Sequence, residues 1–359
     1  MIKKILLTSA IIAALLVLGV AGYVVQGAYF NPAKYDGDAT EKISQYMNDK
    51  GKEFQGTLLV AQGDQVLFEK SYGWADKKKK VKNTDESQYQ IGSLTKSFTA
   101  AAILKLQENG QLETSDTLSK YLPDFPRSND ITIHQLLTHT SGIYNYTSGK
   151  FNQKSKVSPK GIVKWFEDKK LDFEPGEKFS YSNSNYILLG LIIEKVSGMP
   201  YEQFLEENIL QPAHLDETTP IRAEAKHLVV GYRGEKKDTF IDNSVPYAAG
   251  MLISTVSDLE KYIKAIHDGT LLSKESEKEL FTPDKENYAY GWINADVLGE
   301  KVHMHNGGIN GFRSVMGYYP EKDYTVILLS NNVKTNVDSM ALDLSGILFN
   351  KKVNILDRF

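Results

Sequence analysis

Apolar positions follow three different rules along this chain. From Ile5 to Val25 they run as "ILLTSAIIAALLVLGVAGYVV", without a single charge, behind the basic start "MIKK". Between residues 56 and 76, "GTLLVAQGDQVLFEKSYGWAD" forms two β-prone runs on either side of Gln62-Gly63-Asp64, which predicts a hairpin. From Ser93 the period changes. Leu94, Phe98, Ala102 and Leu106 recur every four positions until Asn109-Gly110, the pattern of a helix with one buried stripe that stops at a glycine. Three alanines, 100 to 102, let that helix pack closely against neighbours.

Helical segments then dominate to about residue 270, notably "ITIHQLLTHTSG", "SPKGIVKWFEDKK", "NSNYILLGLIIEKVSG", "PYEQFLEENIL" and "TVSDLEKYIKAIHDG". The last quarter returns to strands: "YAYGWINAD", "EKVHMHNG", "FRSVMGYYP" and "YTVILLSNN". The turn "PEKD" joins the final two, and a closing helix follows near "VDSMALDLSGILFN". A helical stretch ahead of the first strands, "TEKISQYMNDKG", ends at Gly51. Strands at both ends with helices between them predict an α+β (mixed α/β) architecture. One antiparallel sheet is drawn from both termini and flanked by helices, with a mostly helical subdomain at about 110–250. The expected division is 1–30 as membrane anchor or signal peptide, 31–40 as a short tether, and 41–359 as one domain.

Composition narrows the chemistry. The 359 residues carry a formal net charge of −3 and no cysteine. Near-neutral charge gives no field that would select nucleic acid, and disulfides, thiolate nucleophiles and thiolate metal sites are excluded. The uncharged N-terminal run would span about 31 Å as a helix, close to the roughly 30 Å hydrocarbon core of a bilayer. Its two leading lysines orient that end to the cytoplasm. We read residues 5–25 as an uncleaved anchor in preference to a removed signal peptide, with small residues at Ala21, Gly22, Gly27 and Ala28 as the alternative cleavage region. Either way the body works outside the cytoplasmic membrane. The lysine-rich Lys77–Lys82 reads as an exposed turn.

Three short stretches carry candidate chemistry. In "IGSLTKSF", Ser93 and Lys96 stand at i and i+3, on one face of a helix start. The helix dipole favours an alkoxide there, and a buried lysine loses its proton readily enough to act as base. The competing reading is a serine N-cap followed by a solvated charge. In "FSYSNSNY", Tyr181 and Asn183 sit on a loop after "EPGEK". The phenol could hold a proton near a leaving group and the amide could orient a carbonyl or the lysine. A helix cap with an aromatic staple is the plainer alternative. In "HMHNGGINGF", His303 and His305 share one strand face, and Gly307 and Gly308 open the backbone to a ligand. A metal pair is not supported, because no third ligand stands at suitable spacing.

Taken together, and in this order, these stretches resemble the serine β-lactamase and penicillin-binding protein superfamily, in the branch of class C β-lactamases and DD-peptidases. Its motifs run Ser-x-x-Lys, Tyr-x-Asn and Lys/His-Thr/Ser-Gly. The resemblance covers about Glu41 to Asn350 and extends to "ITIHQLLTHTSGI", "EPGEKFSYSNSNYILLGLIIEKVSG", "AAGMLISTVSDL" and "HNGGINGF". It implies Ser93 as nucleophile, Lys96 as its base, Tyr181 as proton relay, and Asn183, His305, Asn306, Gly307, Gly308 and Arg313 as substrate-binding residues. The N–H groups of Ser93 and Gly308 would form the oxyanion hole, with no cofactor. It also implies a cell-envelope hydrolase of D-alanyl peptide bonds in peptidoglycan stem peptides, able to bind β-lactams. A β-lactamase, an esterase of a D-alanylated wall polymer, and a non-enzymatic penicillin sensor are the alternatives. An α/β-hydrolase would need Gly-x-Ser-x-Gly, which is missing from the sequence.

The third motif departs from the pattern. His305-Asn306-Gly307 has an asparagine where a hydroxyl residue usually stands, and a histidine is mostly neutral at pH 7. That leaves open what holds a substrate carboxylate. Arg313 in "GFRS" either supplies the positive charge or is a surface residue. A site poor in carboxylate-binding groups would suit esters and amides.

Overall fold

A computed structural model describes residues 29–220, 224–354 and 357. The apolar run 5–25 lies outside them, and among the described residues no helix is long and apolar enough to cross a membrane. Six antiparallel strands form the main sheet: β1 (Gly56–Gln62), β2 (Gln65–Tyr72), β3 (Ile293–Val297), β4 (Glu300–Ile309), β5 (Phe312–Tyr319) and β6 (Tyr324–Ser330). Their order is β2-β1-β6-β5-β4-β3, so the two chain ends meet at the centre, with Gly56 opposite Ser330 and Gln62 opposite Tyr324. The hairpin expected around Gly63 is β1–β2, and Gly63 takes the left-handed conformation its turn requires, φ 53°.

Both faces of the central strands are apolar because both are covered. Leu58, Val60, Val326 and Leu328 pack under α1 (Ala39–Lys50) and the closing helix, Val337–Leu348. Leu59, Ala61, Ile327 and Leu329 alternate to the other face, into the larger core with α2 (Thr95–Glu108), α3 (Asn183–Ser197) and α4 (Val256–His267). The closing helix is α5.

Two expectations change. The stretch 31–40 is docked rather than a loose tether. Phe30 exchanges backbone hydrogen bonds with Val353, the buried ring of Tyr35 meets Tyr46 at 6.2 Å, and Asp38 with Glu41 closes a capping box on α1. Residues 110–250 are also more loop than helix. Apart from α3, the α-helices there are single short turns such as Ile133–Leu137 and Pro159–Val163. Buried side chains replace the missing helical ladder. Ser141 donates to Asn185 at 2.7 Å, and Ser184 donates to the Tyr144 carbonyl at 2.7 Å while accepting from the Tyr146 N–H. The lysine run behaves as expected, with Lys78, Lys79 and Lys80 exposed on a turn.

Candidate active site

Ser93 stands where a short strand, Tyr89–Gln90, turns into α2. The strand pairs with Ile253–Ser254, and a 3-10 turn over Gly92–Leu94 carries the chain into the helix. Gly92 has φ 53°, and a Cβ there would lie 3.1 Å from the Gly308 nitrogen. The serine turn is thus pressed against β4. The Ser93 hydroxyl is not a helix cap, since neither the 3-10 turn nor α2 has a side-chain cap.

Lys96, one turn on, is fully buried. Its Nζ lies 2.7 Å from the Ala249 carbonyl, 2.8 Å from Asn183 Oδ1 and 3.1 Å from Ser93 Oγ, and burial holds the amine well below its ordinary pKa. The partner set decides the direction of the proton. The two amide oxygens only accept, so they take two N–H bonds. A neutral amine then has its lone pair left for the third partner, Ser93 Oγ–H, which is the one that can donate. The solvated-charge reading of Lys96 does not survive this geometry.

Tyr181 completes the group. Its phenol shares a hydrogen bond with Ser93, its ring centroid lies 4.9 Å from Lys96 Nζ, and burial pushes the phenol pKa up, keeping it protonated. Asn183 opens α3. Its Oδ1 faces Lys96, while its Nδ2 donates toward Asn145 Oδ1 at 3.4 Å and Thr147 Oγ1 at 3.3 Å, which fixes the amide's orientation. Behind Tyr181 lies His139, buried, with ring centroids 4.3 Å apart. Its Nδ1 receives the Ser182 N–H at 3.3 Å, and burial lowers its pKa strongly, so the ring is neutral.

The third motif is split between the two sheet faces by the strand's alternation. His305 and Gly307 face the larger core, whereas Asn306 and Gly308 face the terminal helices. His305 is buried, and both nitrogens are engaged: Nδ1 lies 2.6 Å from the Asn306 carbonyl and Nε2 lies 3.0 Å from the Tyr288 hydroxyl. Burial lowers its pKa to about 3. It is a neutral ring with Nδ1–H donating and Nε2 accepting, so it has no free donor for a substrate. Asn306 donates its amide to Asp338 on α5 at 3.2 Å and is not turned toward Lys96. Gly307 is tightly fitted: a Cβ would fall 2.2 Å from the Ile91 carbonyl oxygen and from Ser314 Oγ. Gly307→Ala should therefore destabilise the protein by about 1–3 kcal/mol, read as a lower urea midpoint, and push β4 away from the serine turn. Arg313 is exposed opposite Gly308. His303 stacks on Phe281 at 4.2 Å, and no metal-holding cluster exists among the described residues.

The motifs did not announce His139, Asn145, Tyr288 or Ala249. His139 stands in "ITIHQLLTHTSG", where nothing in the sequence sets it apart from an ordinary core residue. Ala249 contributes a backbone oxygen, which leaves no side-chain signal at all.

A serine, a buried lysine and a phenol gathered between an antiparallel sheet and its helical layer define the penicillin-binding-protein-like serine hydrolases. The chain belongs to the Beta-lactamase family, whose model matches residues 40–348. It is 33% identical over 306 residues to the Putative penicillin-binding protein PbpX of Bacillus subtilis (strain 168), a match covering 83% of this chain and 75% of that protein. Among solved structures, the penicillin binding protein from Bacillus halodurans superposes with a TM-score of 0.74 at 28% identity, over 83% of this chain and 97% of its own. A D-stereospecific amidohydrolase from Streptomyces sp. gives a TM-score of 0.71 at 26% identity, over 85% and 96%.

Proposed function

We propose that this protein hydrolyses D-alanyl peptide bonds, or closely related D-amino-acid amides and esters, through an acyl-serine intermediate, and that it binds penicillins covalently. The observation that carries this reading is the lysine amine, buried and ringed by two pure acceptors and one hydroxyl. Ser93 Oγ attacks the carbonyl while its proton passes to Lys96 Nζ. The N–H groups of Ser93 and Gly308 receive the developing oxyanion, worth roughly 3 kcal/mol per donor. Collapse of the tetrahedral intermediate breaks the scissile bond, and the leaving amine or alkoxide takes a proton through Tyr181. Water then attacks the ester and gives its proton back by the same path. Asn183 holds the lysine through Oδ1, its Nδ2 being committed to Asn145 and Thr147. Peptidoglycan stem peptides and D-alanylated wall polymers are the natural donors this chemistry suits. The apolar run Ile5–Val25 supports an extracytoplasmic body, anchored or released.

Incubation of the protein with a fluorescent penicillin, a D-Ala-D-Ala peptide and a D-alanyl ester tests the proposal. A Ser93 adduct together with turnover of the peptide or ester is expected. Fast release of the penicillin adduct would instead make the protein a β-lactamase. A lasting adduct with no turnover of any donor would make it a sensor. In the same assay Tyr181→Phe should slow both acylation and release by about 10², and unchanged rates would reduce the phenol to a packing element.

A further inference from the structure

Asn183 Oδ1 and the Ala249 carbonyl accept the two N–H bonds of Lys96 and so aim its lone pair at Ser93. Asn183 is itself held by Asn145 and Thr147. The Ala249 carbonyl belongs to a 3-10 turn, Tyr247–Ala249, and needs a support of its own. We propose that Tyr247, anchored by Glu194, is a positioning residue that aims this carbonyl and, through it, the lysine. The inference rests on Lys96 being the base for Ser93.

The backbone of Tyr247 sits at φ 38°, a left-handed conformation that a bulky aromatic residue rarely adopts and keeps only where its surroundings impose it. Here they act on the side chain, which is buried. The hydroxyl donates to Glu194 Oε1 at 2.8 Å, and the ring lies 5.0 Å from that of Tyr201. A turn before Glu194 on α3, Gly190 leaves the ring its room. A Cβ there would fall 2.4 Å from Tyr247 Cε1 and 2.7 Å from Ala248 Cβ. Beyond the twist at 247, two successive carbonyls face α2. Ala248 accepts from Thr99 Oγ1 at 2.7 Å and Ala249 from Lys96 Nζ at 2.7 Å, donors that stand at i and i+3 on one face of that helix. Tyr201, packed on the Tyr247 ring, shares a hydrogen bond with the same Thr99 hydroxyl at 2.7 Å. The helix that offers Asn183 to the lysine at its start thus also governs the second acceptor, from its far end. Without the Glu194 bond the strained turn can relax and the Ala249 carbonyl can swing off the amine. An N–H is then free to turn toward Ser93 Oγ in place of the lone pair.

The test follows acylation of Ser93 by benzylpenicillin as adduct mass, separating affinity in the first complex from the rate of the chemical step. Tyr247→Phe keeps the ring and loses only the hydroxyl. It should slow the chemical step about 10- to 100-fold, the cost of misplacing a reacting group by up to about 1 Å. Affinity in the first complex should stay within about 3-fold, because uniform binding is untouched. Glu194→Leu should reproduce the loss. Glu194→Gln, whose amide oxygen still accepts from the phenol, should recover most of it. The decisive arm repeats Tyr247→Phe in the Lys96→Met protein, where it should cost nothing further, since no amine remains to be aimed. An equal loss with and without the lysine would mean that Tyr247 only packs the core. No loss in Tyr247→Phe itself would also overturn the assignment. A wild type that forms no Ser93 adduct, or a Lys96→Met protein that acylates normally, would instead bring down the reading of the site, and this inference with it.

Discussion

Ser93→Ala is expected to abolish the covalent penicillin adduct and to lower turnover of any D-alanyl donor by about 10⁴- to 10⁶-fold, the scale on which loss of a serine nucleophile is felt. No substitute stands by. The chain has no cysteine, and the hydroxyl that shares hydrogen bonds with both Lys96 and Tyr181 is that of Ser93. Its removal leaves a hole one oxygen in size beside an otherwise intact lysine, so the variant should fold normally. Intact-mass spectrometry after incubation with penicillin reads the outcome, and an adduct surviving in Ser93→Ala would show that another residue is acylated.

Lys96→Met should cost acylation about 10²- to 10⁴-fold through loss of the general base, while methionine fills much of the vacated volume. A second signature separates a buried neutral amine from an ordinary one. Burial depresses the folded-state pKa of Lys96, so between that value and the unfolded-chain value near ~10.4 the unfolded protein holds a proton that the native one lacks. More protons bound in the unfolded state means that stability rises with pH across this window. Wild type should therefore gain on Lys96→Met as pH climbs from 7 toward 10, measured as the difference in their denaturant midpoints. Parallel pH profiles would show that the native lysine is charged, and the assignment of base would fail.

Much of this was legible in the residues, for physical reasons that also set the limit. The β1–β2 hairpin, the four C-terminal strands and the closing helix are local patterns, in which alternation or a turn signal decides the element. Ser93, Lys96, Tyr181 and Asn183 were legible because their spacing is short and their order along the chain is informative. What stayed hidden depends on distant partners. Tyr35 looked like part of a tether because nothing near it reveals Phe30 and Tyr46 as its neighbours. The stretch 110–250 read as helical because its apolar spacing is helical, but "HTSG" and "EPGEK" break the ladder, and Ser141, Ser184 and Asn185 carry the loops instead. Asn306 read as a substrate ligand from its place in a motif. Strand alternation sends it to the opposite face, where Asp338, 32 residues later, takes its amide.

The pairing of β1 with β6 has a consequence for how the chain is made. These two strands lie side by side inside the sheet, yet 262 positions separate the paired Gln62 and Tyr324. A ribosome finishes the first hairpin long before it supplies β6, so β1 must wait with an unmet backbone edge while the polypeptide between them emerges. Closing so long a loop is slow, which favours holding the chain unfolded until synthesis is complete. Truncation ahead of β6 would remove that mate and leave the hairpin prone to pair with another copy.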